Sequence, residues 1–364
     1  MLQQNDEYNY GIALLKIFAA FIIVVLHILG SGGAIESCIR FSPKYYIFTF
    51  LYTLTKCGVD LFAMISGYVL IKTKINRLKI IPLWLTVFFY SFIFVFLFKF
   101  IPELKNLHTI SNLELISRIF FPVASRQYWY FSCYFVMYFF LPYLNDYLLS
   151  INEKKHKSMI ITIIALFSIL PLFTLNRIDA ISLNDGWTPL WLLGLYIIGA
   201  YLKLYPIIIS KTKCILSYFV LCFISFFSKF ISHFLLKLIF NKNSEIDLFV
   251  QNTSVFIVLA SMSLVLMFAQ MNIRNDKLRK LIKTISQFSF SSYIIHVNPL
   301  LFIYVFCGRF SFLSEEKNVS AILKILLFSA AIFVVCIIID FIRYQLFKIL
   351  KINNVVTFFD KKLK

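Results

Sequence analysis

Charge is scarce in this sequence. Asp, Glu, Lys and Arg make up only 15% of its 364 residues, while hydrophobic residues reach 60%. A soluble chain of that length needs far more polar surface to cover itself, so the composition excludes a soluble enzyme and indicates a polytopic membrane protein. Internal repeats, low-complexity linkers and any stretch polar enough for a soluble domain at either terminus are also missing. Length alone would suggest two or three soluble domains, but repeated apolar runs of bilayer-spanning length indicate one helical bundle. Among the 7 cysteines there is no C-x-x-C and no Cys/His ligand spacing. Six of them (Cys57, Cys133, Cys214, Cys222, Cys307 and Cys336) lie in apolar runs and Cys38 lies outside, so neither a disulfide framework nor a zinc site is indicated. The chain starts with neither a charged leader nor a small-residue cleavage site, so its first apolar run is expected to be retained.

What is present is a series of about ten apolar runs, near 11–30, 47–71, 80–101, 128–149, 158–175, 189–206, 213–235, 248–270, 286–307 and 320–342. The seventh is the least regular, because Lys229, His233 and Lys237 intrude near its end. The expected fold class is therefore an all-α integral membrane protein, a bundle of about ten transmembrane helices. Residues 1–350 would form one membrane domain and 351–364 a short basic cytoplasmic tail. With the N-terminus inside, the even-numbered loops and the tail hold most of the 36 Lys and Arg residues, including Arg77, Lys79, Arg274, Arg279 and Arg343. The bias places both termini in the cytoplasm. It also accounts for the net charge of +19 without nucleic acid, since the cations border a membrane and form no single basic stripe.

The informative residues are the polar ones inside the runs. LLKIFAAFIIVVLHI (14–28) carries Lys16 and His27, eleven residues apart. On a helix they share one face and lie about 16 Å apart along the axis. Lys16 either snorkels into headgroups or serves a ligand. His27 lies deeper, where a histidine faces either a packed interior or a wet cavity. In the second run, Lys56 and Asp60 stand one turn apart, as a structural pair or as part of a site. Ser66 and Gly67 form a small surface open to a helix or a ligand. Arg77 and Lys79 fit a positive-inside anchor and the binding of a cytosolic anion equally well.

Together these residues make the chain resemble the membrane acyltransferase-3 family, whose members transfer acetyl or related acyl groups to bacterial surface glycans. The family's first-run signature is a basic residue, ten intervening residues and a histidine, matched here by Lys16-x10-His27. GVDLFAMISGY (58–68), NRLKIIPLW (76–84), YWYFSCYFVMYFFLPYLN (128–145) and SSYIIHVNPL (291–300) are similar to its later elements, in the same order. Two positions depart from the pattern. Lysine replaces the usual arginine at Lys16 and cannot offer a planar bidentate fork. Ala63 stands where the family has a second phenylalanine, which enlarges the space beside Ser66.

The resemblance implies acyl transfer from cytosolic acetyl-CoA, or another acyl-CoA, to a hydroxyl of a surface polysaccharide or its lipid-linked precursor. It also implies a multi-pass location in the bacterial inner membrane and no metal. Such chemistry needs a base, oxyanion stabilisation and cations for the donor phosphates. His27, the first-run group that titrates near neutrality, is the expected general base. Asp60 would orient its imidazole or pair only with Lys56. Lys16, Arg77 and Lys79, with Ser66, are the expected donor-binding set. Trp129, Tyr130 and His296 are expected on the acceptor side or in secondary roles, and His296 is equally open to a packing role. A flippase for lipid-linked saccharides would share the hydropathy and charge bias, but would move its substrate without covalent change.

Overall fold

The computed structural model describes residues 8–174, 179, 181–247 and 249–352. Among them every regular element is helical: α1 (Tyr10–Leu29), α2 (Pro43–Thr55), α3 (Cys57–Leu70), α4 (Ile81–Phe100), α5 (Pro102–Leu107), α6 (Asn112–Phe120), α7 (Trp129–Ser150), α8 (Glu153–Ile164), α9 (Pro189–Leu204), α10 (Lys211–Phe240), α11 (Val255–Ala269), α12 (Asp276–His296), α13 (Pro299–Leu301) and α14 (Asn318–Ile349). Local chemistry sets several boundaries. Asn9 caps α1, its side-chain oxygen accepting the Ile12 amide at 2.9 Å. Thr188 caps α9, and Pro189 opens its first turn, where no amide is needed. α12 stops at His296 because Pro299 follows closely and disfavours continuation through Asn298. Asn298 then caps a new start, and the chain turns by 53° into Pro299–Phe306.

A helix occupies each of the ten apolar runs, yet among the described residues only six helical stretches are long and apolar enough to cross a membrane, or seven if the bent α12–α13 pair is one span. The shortfall against about ten has a physical reason. α9 and α11 contain 16 and 15 residues, about 24 and 22 Å of rise against a hydrocarbon core of about 30 Å. α7 has 22 residues but carries Asn145, Asp146 and many tyrosines. The irregular seventh run is an uninterrupted helix of 30 residues, since Lys229 finds carboxylate partners at 2.9 and 3.0 Å. Several long apolar helices with outward Phe, Ile, Leu and Val on α10 and α14 make this a multi-pass membrane protein. From residue 353 onward the basic tail lies outside the described residues.

α1 is the axis of the bundle, packed against α2, α3, α11, α12 and α14. That position explains why its apolar residues are buried almost all round. α3 and α9 approach so closely that a Cβ on Gly67 would lie 2.0 Å from the Tyr196 carbonyl, and one on Gly199 would lie 2.0 Å from the Met64 carbonyl. The small surface at Ser66–Gly67 thus receives a helix, and the reciprocal glycines let two backbones meet. This contact fixes α3 beside α1 and so frames the site.

Candidate active site

The bend after α12 leaves His296 at the last position of its helix, beside the C-terminal part of α1. There His27 Nδ1 lies 2.9 Å from His296 Nε2. His296 Nδ1 lies 2.5 Å from the Ser292 carbonyl oxygen. A carbonyl only accepts, so His296 Nδ1 carries a proton and, in the neutral ring, Nε2 is the acceptor. His27 Nδ1–H therefore donates to His296, which leaves a lone pair on His27 Nε2. The two partners select the tautomer a general base requires. Phe302, just past the bend, meets the His27 ring edge-on at 5.2 Å between centroids.

His27 lines a small cavity of about 40 Å³ with Phe62, Trp129, Tyr130, Phe290 and Tyr293. Tyr130 is 7% exposed, and its hydroxyl has no hydrogen-bond partner among the described residues. A buried, unsatisfied hydroxyl beside a histidine is costly unless something else uses it. Trp129 stacks on the half-exposed Trp187, with centroids 5.2 Å apart and planes 15° apart. The pair forms an aromatic face at the edge of the cavity. The three residues assigned in sequence to the acceptor side or to secondary roles, Trp129, Tyr130 and His296, thus converge on His27.

Toward the other end of α1, Lys16 and Lys79 line a second cavity of about 360 Å³ with Arg343, Gln287, Ser291 and Tyr134. Arg343 is held by Asp340 through bonds of 2.5 and 3.2 Å, and Tyr90 donates to the same carboxylate at 2.8 Å. Asp340 is fully buried, so the guanidinium keeps a fixed position at the cavity wall. Phe290 belongs to the lining of both the cationic cavity and the one that contains His27.

Three expected site residues lie elsewhere. Arg77 turns outward, donates to the Tyr143 hydroxyl at 2.6 Å and lies 5.1 Å over that ring, outside the Lys16–Lys79 cavity. Ser66 donates to the Phe62 carbonyl of its own helix at 2.9 Å and lines neither cavity. Asp60 faces α9, where Trp191 Nε1 donates to it at 3.4 Å; its other oxygen is buried without a partner among the described residues. No hydrogen bond joins Asp60 to His27, whose Nδ1 is taken by His296. Lys56 makes no close ion pair with Asp60 either: its ammonium sits 5.3 Å over the Tyr52 ring. It also lies near Asp185 in the loop before α9, whose carboxyl is pushed up by burial and pulled back by Lys56 and the Asn252 amide.

Arg343, Trp187 and Phe290 were given no site role in the sequence, and Tyr293 entered only as part of the SSYIIHVNPL element. Arg343 had a legible signal, an acid three residues before it inside an apolar run. Trp187 and Phe290 had none, being two among 67 Phe, Tyr and Trp side chains made up of 43 Phe, 20 Tyr and 4 Trp. Among the described residues no three His, Cys, Asp or Glu side chains converge as a metal-binding group.

Fold and site together define a multi-helix membrane bundle in which a histidine pair borders an aromatic pocket and a cationic cavity lies toward the other end of α1. The family model described as an acyltransferase domain, that of the acyltransferase-3 family, matches residues 9–341. The chain belongs to that family. No curated protein and no solved structure gives a significant match.

Proposed function

We propose that this protein is a membrane O-acyltransferase that moves an acetyl or similar small acyl group from cytosolic acyl-CoA to a hydroxyl of a cell-surface polysaccharide or its lipid-linked precursor. The reading has it in the bacterial inner membrane, with both termini inside and about ten membrane crossings. The shorter α9 and α11 would cross where the bundle shields them from lipid. The observation that carries the chemistry is the His27–His296 pair, whose hydrogen bonds leave His27 Nε2 as a base on the wall of a pocket.

In this mechanism Lys16, Lys79 and Arg343 hold the anionic phosphates of the donor, and the thioester reaches past Phe290 to His27. His27 Nε2 takes the proton of the acceptor hydroxyl as its oxygen attacks the thioester carbonyl. The Tyr130 hydroxyl, unpartnered in the pocket, donates to the developing oxyanion. The carbon–sulfur bond then breaks, and the imidazolium returns its proton to the leaving thiolate, giving the ester and free CoA thiol. His296 accepts from His27 Nδ1–H throughout and steadies the imidazolium. Asp60 supports the wall behind α3, and Arg77 serves as a headgroup anchor.

The primary test is purified protein in lipid nanodiscs with labelled acetyl-CoA and candidate glycans, which should give labelled glycan. Movement of unmodified saccharide with no acyl-CoA dependence would instead identify a flippase. Within that assay Lys79→Gln should raise the KM for acetyl-CoA by about tenfold or more, the loss of a charge-assisted contact of about 1.5–3 kcal/mol, with little change in kcat. Arg77→Gln should leave the donor KM near wild type. Equal effects of the two substitutions would mean that the chamber lined by Lys79 is not the donor site.

His296 separates positioning from packing. His296→Gln keeps an acceptor for the His27 Nδ1–H and should retain more kcat than His296→Ala. The alanine variant should also shift the acidic limb of the kcat/KM profile, because the His27 tautomer is no longer held. Identical pH profiles for wild type and both variants would make His296 a packing residue.

A further inference from the structure

A third cavity, of about 470 Å³, opens beyond the C-terminal end of α1, on the far side of His27 from Lys16. It is lined by Glu36, Arg40, Thr49, Tyr52, Lys229 and Asp247, drawn from the α1–α2 connection, α2, α10 and the segment before α11. Its polar wall is built and not incidental. Lys229 Nζ lies 2.9 Å from Asp247 Oδ1 and 3.0 Å from Glu245 Oε1, and Arg40 stands 3.9 Å from Glu245 on the other side. Tyr45 donates its hydroxyl to that same carboxylate. Two groups in this network are unsatisfied. Thr49 is 3% exposed, and its hydroxyl has no partner among the described residues; the second Glu245 oxygen is likewise buried without one. Native structures rarely leave buried polar atoms unpaired without a ligand or solvent to complete them.

We propose that this cavity is a subsite for a neutral or amino-sugar saccharide, the part of the acceptor next to the unit that is acylated. Several features select that chemistry. Carboxylates at Glu36 and Asp247 accept from hydroxyl pairs, and Arg40, Lys229 and Thr49 donate to hydroxyl or ring oxygens. Tyr52 offers a flat apolar face to sugar C–H groups. The two cations of the lining are already matched by its two carboxylates, and Lys56 over Tyr52 balances Glu245 behind them, so no unmatched cation is left to hold a phosphate or a uronic acid. The volume falls in the range of roughly 300–1,000 Å³ usual for small-ligand clefts. Gly30, which caps α1 three residues beyond His27, lines the cavity, and the Tyr52 ring comes within 3.2 Å of where its Cβ would be, so the subsite begins at the end of the histidine's own helix. The ligand's role as an acceptor rests on the acyl-transfer reading; its binding does not.

The test measures binding of fluorescently labelled tetrasaccharides of glucose, glucosamine and galacturonic acid to the full chain in nanodiscs without donor. Acyl transfer is measured separately. The neutral or the amino-sugar probe should bind more tightly than the uronic acid. Thr49→Val, which keeps shape but removes the donor, and Glu36→Gln in the exposed connection should each weaken that binding by about tenfold. Failure of both probes to bind, a preference for the uronic acid, or unchanged binding in both variants would overturn the subsite. Saccharide binding that falls in both variants while no acyl transfer occurs would sink the enzymatic reading and leave the subsite standing. Transfer with an unchanged acceptor KM in both variants would do the reverse.

Discussion

Replacing His27 with alanine is expected to lower the rate of acyl transfer by about 10²–10⁴-fold, the usual contribution of a positioned general base. A sugar hydroxyl is a weak nucleophile at neutral pH, and the site otherwise offers no free base. His296 is turned the wrong way for that task, because its Nδ1–H is committed to the Ser292 carbonyl and its Nε2 to His27. Acetyl-CoA affinity should hold near wild type, since Lys16, Lys79 and Arg343 line a separate cavity beyond Phe290. A drop in kcat with little change in donor KM is therefore the signature sought in steady-state kinetics. Full transfer by His27→Ala would remove the base from the mechanism. A rise in donor KM alone would mean that His27 binds and does not catalyse.

Gly199→Val should be the most damaging substitution remote from the chemistry. The added Cβ would fall 2.0 Å from the Met64 carbonyl oxygen and within 2.7 and 2.8 Å of the carbonyl carbon and Cα of the same residue, all backbone of α3. No rotamer relieves a clash with backbone, so α3 and α9 must separate. Overpacking usually costs about 1–3 kcal/mol, and a rigid backbone contact should reach the upper end or exceed it. The shift also displaces Val59 and Phe62, which belong to the pocket of His27. Thermal unfolding followed by size-exclusion chromatography should show a markedly lower midpoint and little activity. Gly308→Ala is the contrast. Its glycine has φ +73° but nothing within 4 Å of an added Cβ, so only backbone strain of about 1–2 kcal/mol is incurred. A Gly199→Val variant as stable as Gly308→Ala would contradict the close crossing of α3 and α9.

The legible part of the site was the part carried by spacing. Lys16 and His27 are read from one helix, where eleven residues return the chain to the same face, and each of them lines a cavity. His296, Trp129 and Tyr130 come from local elements that could be recognised singly, but their meeting at His27 depends on a 53° bend at Asn298–Pro299 and on the packing of α7 against it. Asp60 misled for the converse reason. One turn from Lys56 and two helices from His27, it had plausible partners on both sides, and the rotation of α3 against α9 gave it to Trp191. Arg77 and Lys79, two residues apart in a short helical turn, diverge to Tyr143 and to the cationic cavity.

Composition and hydropathy by themselves determined that this chain is a helical membrane protein, because hydrocarbon tolerates only backbone that satisfies its own hydrogen bonds. The order of short motifs determined the family. Which histidine nitrogen is bare, which cations share a chamber and which aromatic residues wall the pocket were decided only in three dimensions. Those outcomes follow from helix rotation, a proline-induced bend and contacts between residues more than a hundred positions apart, none of which a periodicity of 3.6 records.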